Sequence, residues 1–300
     1  DITPEDEDDT FSGGGLAYED GYVFAATGFA QVVALEAATG KVAWRQTLSG
    51  PMRGAPTVRA GRVFVITVDN QTHALAAEDG ALLWSHQGIS EAAALLGGTS
   101  PAVDGNVVVV PYSSGELFAL RVDNGAVLWQ DSLSTLRRTE GIATLTDIRG
   151  RPVVDRGRVY AIGHADMLVA IDLRTGRRLW EREIGGIQSP WVGGDYLFLV
   201  TNNNEAVALE AKTGRVLWVT QLQLWEDEED REGRIVWAGP VLASDRLILG
   251  GSHGTLASLS PYTGEIMGAV DAPDGVTIAP AVAGGTMYFL TNDADLVAFR

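Results

Sequence analysis

AIDLRTGRRLW (170–180) decides the reading of this chain, because close copies of it keep returning. ALEAATGKVAW stands at 34–44 and ALEAKTGRVLW at 208–218, with looser copies ALAAEDGALLW at 74–84 and ALRVDNGAVLW at 119–129. A sixth, SLSPYTGEIMG at 258–268, ends in glycine where the others end in tryptophan. Each copy is an alternating apolar run, a tight polar turn with glycine, and a second short run, closed by Trp in the first five. Alternation is the period of a strand, and glycine supplies the positive φ that such a turn needs. The glycines at 40, 80, 125, 176, 214 and 264 set a period of 38–51 residues. Strand-rich repeats of that length predict the blades of a β-propeller.

A second landmark falls between the copies. It is Pro, an apolar pair, a polar or glycine turn, and then a β-branched or aromatic run, as in PTVRAGRVFVI (56–66), PAVDGNVVVV (101–110), PVVDRGRVYAI (152–162), PWVGGDYLFLV (190–200), PVLASDRLILG (240–250) and PAVAGGTMYFL (280–290). GLAYEDGYVFAA (15–26) is the same unit without its proline. Proline suits the first residue of a strand, where no ladder donor is lost. Joined, the two landmarks give four short antiparallel strands per repeat. There are seven openings but six closings, since the last unit stops at DLVAFR (295–300). The predicted architecture is therefore all-β, a propeller of four-stranded antiparallel blades with seven repeats visible. Residues 13–300 form one domain behind an acidic segment, 1–12. A borrowed outer strand from the other end of the chain is expected to complete the last blade, since closure removes an exposed edge.

Composition narrows the function. A chain of 300 residues, 46% apolar, can bury a sizeable core. A net charge of −17 repels phosphate backbones and anionic lipid surfaces, so nucleic acid is not an expected partner. With no cysteine there is no disulfide, thiolate metal site or cysteine nucleophile. No apolar run approaches the roughly 18–20 residues of a membrane helix. The opening DITPEDEDD is neither a signal peptide nor a lipidation site and lacks an initiating Met, so we read a processed or trimmed product whose targeting information lies elsewhere.

Trp44, Trp84, Trp129, Trp180 and Trp218 each end an outer strand after the same turn. Five copies in one register are a packing rule rather than a ligand ring, so they are expected to plug the gap between one blade and the next. The pattern Ala-x-Asp-x-x-Thr-Gly-Lys/Arg-x-x-Trp resembles the tryptophan-docking motif of pyrroloquinoline-quinone (PQQ) propellers. That superfamily holds quinoprotein alcohol dehydrogenases and non-enzymatic relatives, so the motif specifies fold and not function. The resembling enzymes carry an adjacent cysteine pair over the quinone and a calcium site. A chain without cysteine and with seven units is expected to be no enzyme and to hold no cofactor and no metal. His164 and His253 stand at equivalent turns where other units have Asn70 or Asn203, while His73 and His86 lack ligand spacing. The acidic runs 1–9 and 226–230 lack calcium-loop spacing and read as solvated, mobile charge.

Loop lengths point to an interaction surface. Trp to the next Pro takes 12 steps at 44–56 and 10 at 180–190, but 17 at 84–101, 23 at 129–152 and 22 at 218–240. All such links emerge on one face of a propeller, and insertions gathered on one face mark a binding side. From about 130 to 300, and more weakly back to about 13, the sequence resembles the BamB family. LTDIRGRPVVDRGRVYAIGHADMLVAIDLRTGRRLWEREIG (145–185) and GVTIAPAVAGGTMYFLTNDADLVAFR (275–300) carry the likeness. The resemblance implies an eight-bladed, non-catalytic propeller, a periplasmic lipoprotein of the outer-membrane β-barrel assembly machinery, that docks a periplasmic domain of BamA and meets unfolded outer-membrane clients. Its lipid anchor is absent from this sequence. Carried over, the docking residues fall on Ala93, Leu95 and Leu96 in one loop and on Asp147 and Arg149 in the next. Leu96 replaces the family's arginine and Arg149 its second aspartate, which reverses the charge there. Seven units against eight leaves two possibilities open, an N-terminal blade removed or a ring closed with seven. The competing reading is a PQQ-like propeller that binds a quinone or another small molecule and has a redox role.

Overall fold

A computed structural model describes residues 2–4, 13–90, 98–134 and 147–300. Every regular element among them is a β-strand. Sheet one is a meander of Gly14–Glu19, Tyr22–Thr27, Gln31–Glu36 and Val42–Thr47, paired in that order. The same four-strand order returns at 57–87, 102–132, 153–182, 191–221 and 237–271, as sheets two to six. Consecutive antiparallel meanders of this kind are the blades of a β-propeller. The chain divides into two compact units, Asp1–Arg178 and Leu179–Arg300, with the division falling in the last strand of sheet four. Each unit is described by itself.

Burial follows the strand's place in the blade. The second and third strands are covered on both faces, as in Arg62–Ile66 and Gln71–Ala76, where Val63, Phe64, Val65, Ala74 and Leu75 are all buried. In the first unit, Phe24 and Val63 join the core between sheets one and two, and Phe64 and Val108 that between sheets two and three. Leu117 and Val159 join the core between sheets three and four. In the second unit, Phe198 and Leu247 lie between sheets five and six. A strand buried on both faces reads as a continuous β-branched and aromatic run, which is the composition these segments have.

The turn of the repeat explains its Asp, Thr and Gly. The Asp172 carboxylate accepts from the Thr175 amide at 2.8 Å and from its hydroxyl at 2.7 Å, while the Gly176 amide donates to the Asp172 carbonyl at 2.9 Å. Those hydrogen bonds from Thr175 hold the Asp172 carboxyl below its ordinary value. Gly176 has φ +72°. A register shift then interrupts the last strand pair one step from the tryptophan, as between Ala119 and Leu120 or Ala208 and Leu209. Such bulges re-aim a side chain. They were not legible in the sequence.

Sheet seven has three strands, Ala281–Ala283, Thr286–Leu290 and Leu296–Phe299, in keeping with seven openings and six closings. The acidic run at 226–230 is not a featureless charged loop. It caps a hairpin of Trp225–Asp227 and Glu232–Arg234, in which the Asp227 carboxylate accepts from the Glu229 and Asp230 amides at 2.9 and 3.0 Å. Arg234 lies 5.3 Å over the Trp225 ring.

Candidate functional site

The five tryptophans dock sheet on sheet. Trp44 donates its indole N–H to the Ala77 carbonyl at 2.9 Å, Trp84 to Val122 at 3.0 Å and Trp129 to Leu173 at 2.7 Å. In the second unit Trp180 reaches the Ala211 carbonyl at 3.1 Å and Trp218 that of Pro261 at 3.0 Å. Each ring rests on the motif glycine of the following sheet. A Cβ on Gly80, Gly125, Gly176, Gly214 or Gly264 would lie 2.6–2.7 Å from the indole of the preceding Trp. The glycine is therefore required twice, once by the turn and once by the seat. Gly40 has the same turn, with φ +70°, but open space within 4 Å of its would-be Cβ.

With the tryptophans assigned to packing, the long links carry the remaining signal. Ala93, Leu95 and Leu96 lie outside the described residues. Asp147 and Arg149 are described, at the end of the second long link. They share a concavity of about 60 Å³ with Arg53, Gly98, Thr99 and Ser113. Gly98 and Thr99 are the residues by which the first long link returns to the fold, so the bases of the two links meet here. The base of the first long link also packs closely on residues 53–54, since a Cβ on Gly98 would lie 2.3 Å from the Arg53 carbonyl carbon and one on Gly54 would lie 2.0 Å from the Thr99 carbonyl oxygen. The Thr99 hydroxyl donates to the Gly150 carbonyl at 3.4 Å.

Asn70 ties this floor together. It sits in a turn at φ +59° and is buried. Its amide donates to the Ile89 carbonyl at 2.6 Å, and its side-chain oxygen accepts from the Ser113 amide at 3.2 Å and hydroxyl at 3.0 Å. The Ile89 amide in turn donates to the Glu116 carboxylate at 2.7 Å. The outgoing end of the first long link is thereby pinned at Ile89. Asn204, at φ +55°, does the same work in the second unit by donating to the carbonyls of Gln223 and Ile235. The sequence paired Asn70 with Asn203. The structure moves the equivalence by one position, and the recurring Thr-x-x-Asn spacing (67–70, 201–204) was the signal that identifies it.

The electrostatics of the floor are mixed. Asp147 is only 4% exposed, and its backbone carbonyl accepts the His164 amide at 2.9 Å. Arg149 is half-buried. Burial lowers its pKa, while the Asp147 carboxylate opposes that shift. Arg53, on the opposite wall, is exposed. The concavity itself is far below the roughly 300 Å³ at which ligand pockets begin. Among the described residues no cluster of three or more His, Asp or Glu side chains could hold a metal ion. Among the described residues, the bases of the two long links thus share a shallow floor that carries both signs of charge.

Fold and motif together define a PQQ-repeat β-propeller. The family described as "Outer membrane protein assembly factor BamB" matches residues 4–220. A curated relative of that name from Yersinia pestis is 31% identical, over 95% of this chain and 71% of the relative. The chain belongs to the BamB family. Among solved structures, BamB from Moraxella catarrhalis superposes with a TM-score of 0.84 at 22% identity, covering 95% of this chain and 83% of that one. A europium-containing methanol dehydrogenase superposes with a TM-score of 0.71 at 15% identity, covering 95% and 72%, a likeness of fold alone.

Proposed function

We propose that this chain serves outer-membrane protein assembly as a non-catalytic, periplasmic docking module. It binds a BamA-like barrel subunit through its two adjacent long loops. The observation that carries this reading is the meeting of the loop bases at one shallow floor, where Asp147 and Arg149 lie against Gly98 and Thr99. Leu95 and Leu96, with Ala93, supply an apolar anchor a few residues from that floor. Arg149 supplies a cation that fixes orientation at the rim. Apolar anchors beside a charged rim are the composition of a protein interface. Membership of a family whose relatives are named outer membrane protein assembly factor supports the same setting.

A pull-down from an envelope extract tests it. The native chain captures a BamA-like subunit, and Leu95→Glu and Arg149→Glu variants with native circular dichroism lose it. Capture unchanged by both substitutions would remove the loops from the interface. The quinone reading has its own check. Calcium with pyrroloquinoline quinone leaves melting temperature and absorbance unchanged if the module is a docking protein, and a shifted quinone spectrum would reverse that conclusion.

A further inference from the structure

The sixth copy of the motif breaks the rule that the other five keep, and a cavity lies where it is broken. Gly268 pairs with Ser258 in the register in which Trp44 pairs with Ala34, Trp84 with Ala74, Trp129 with Ala119 and Trp218 with Ala208. Both members of the pair have changed together. The last strand of sheet six, Ile266–Asp271, is exposed at all six residues, whereas the last strands of sheets two and three bury their Trp. Between sheets six and seven the space left open measures about 260 Å³. Ile248, Leu256, Gly268, Met287, Phe289 and Phe299 line it.

We propose that this cavity is a binding site for a planar aromatic ring of about indole size. The chain itself names the occupant, since at the equivalent place in five other repeats an indole lies between one sheet and the next. The polar groups on the wall are already engaged. The Ser258 hydroxyl donates to the Gly268 carbonyl at 3.2 Å and accepts from Arg246 at 3.3 Å. The rest of the wall is aliphatic and aromatic, and a solvent-open groove so lined gains free energy when an apolar ring displaces its water. An enclosed cavity of about 150 Å³ lined by Leu, Ile and Phe binds benzene, so the volume here is ample for an indole. A ring slid between Ile248 and Phe299 gains apolar contact with both sheets, as the Trp218 indole does in the cluster of Phe198 and Leu247.

Isothermal titration calorimetry with free indole tests this on the whole chain. The native protein takes up one indole saturably, and its melting temperature rises with indole concentration. Gly268→Trp fills the space from within the chain, melts higher than native and loses more than about tenfold in indole affinity. Val270→Trp on the same exposed strand blocks the mouth and carries the test should Gly268→Trp fail to fold. Three results would overturn the assignment. They are the absence of saturable uptake by the native chain, undiminished uptake by a folded variant, and self-association of the native chain that Gly268→Trp abolishes while indole has no effect.

Discussion

Comparing Gly176→Ala with Gly40→Ala separates the two demands placed on the motif glycine. Both positions hold the same turn, at φ +72° and +70°. An L-residue forced into that conformation costs about 1–2 kcal/mol at either site. At Gly40 nothing further is asked, because a Cβ there meets no atom within 4 Å. At Gly176 the Cβ would stand 2.6 Å from Cβ and Cγ of Trp129, so the indole must move. Displacing it strains a packed seat, at about 1–3 kcal/mol, and weakens the 2.7 Å hydrogen bond to the Leu173 carbonyl, at about 0.5–1.5 kcal/mol. Gly176→Ala is therefore expected to cost about 3–6 kcal/mol where Gly40→Ala costs about 1–2. Urea unfolding at pH 7.5 measures both. A double-mutant cycle sharpens the test, since a Trp129→Ala background removes the indole and its Cγ but keeps the Cβ at 2.6 Å, so the cost of Gly176→Ala should fall part of the way toward that of Gly40→Ala. Equal costs in the native background, or no coupling in the cycle, would falsify the seat as the reason for the glycine.

Three further outcomes follow from the first unit. Asp131 holds the Arg178 guanidinium through two hydrogen bonds of 2.7 and 2.8 Å, with only 16% of the Asp131 side chain exposed. Asp131→Ala should cost about 1–2 kcal/mol in urea unfolding, and Arg178→Lys should restore little of the native pairing, because an ammonium cannot form the fork. The Tyr112 hydroxyl is buried at 2.8 Å from both the Thr72 hydroxyl and His86 Nδ1. Tyr112→Phe should cost about 1–2 kcal/mol by stranding the Thr72 hydroxyl, with sheet content by circular dichroism unchanged. Burial lowers the pKa of His86 and His73 below 6.5, against the opposing pull of Glu116 and Asp69. The unfolded chain therefore takes up protons first as the pH falls through 6.5, and stability present at pH 7.5 declines toward pH 5.5. His86→Phe should flatten that decline. A urea midpoint that rises on acidification over this window would refute the assignment.

Much of the architecture was written into the residues. Four strands per repeat, seven openings and six closings can be counted because each repeat carries its own turn chemistry. Asp172, Thr175 and Gly176 make that turn with their own atoms, so a local motif is enough to predict it. The role of Trp129 as a plug was legible for a related reason, since a side chain repeated in one register answers to a repeated neighbour. Family membership could be read from long runs such as 145–185 because every contact within a blade is short in sequence. The hairpin at 225–234 was not legible, because charge density at 226–230 masked the strand signal.

Only the tertiary structure decided what each residue faces. Nothing in the sequence says that Gly176 is the floor under Trp129 while Gly40 faces open space, because both turns are chemically alike and the difference belongs to the neighbouring sheet. Asp147 was carried over as a docking residue, yet the fold leaves it 4% exposed beside Arg149. Gly268 reads as a decayed motif, and the space beside it becomes a cavity only because sheet seven brings Phe289 and Phe299 to the other side. The sequence determines strands and turns, since those forces act over a few residues. Seats, floors and cavities are set by side chains that meet from repeats about 40 residues apart, and only assembly fixes those meetings.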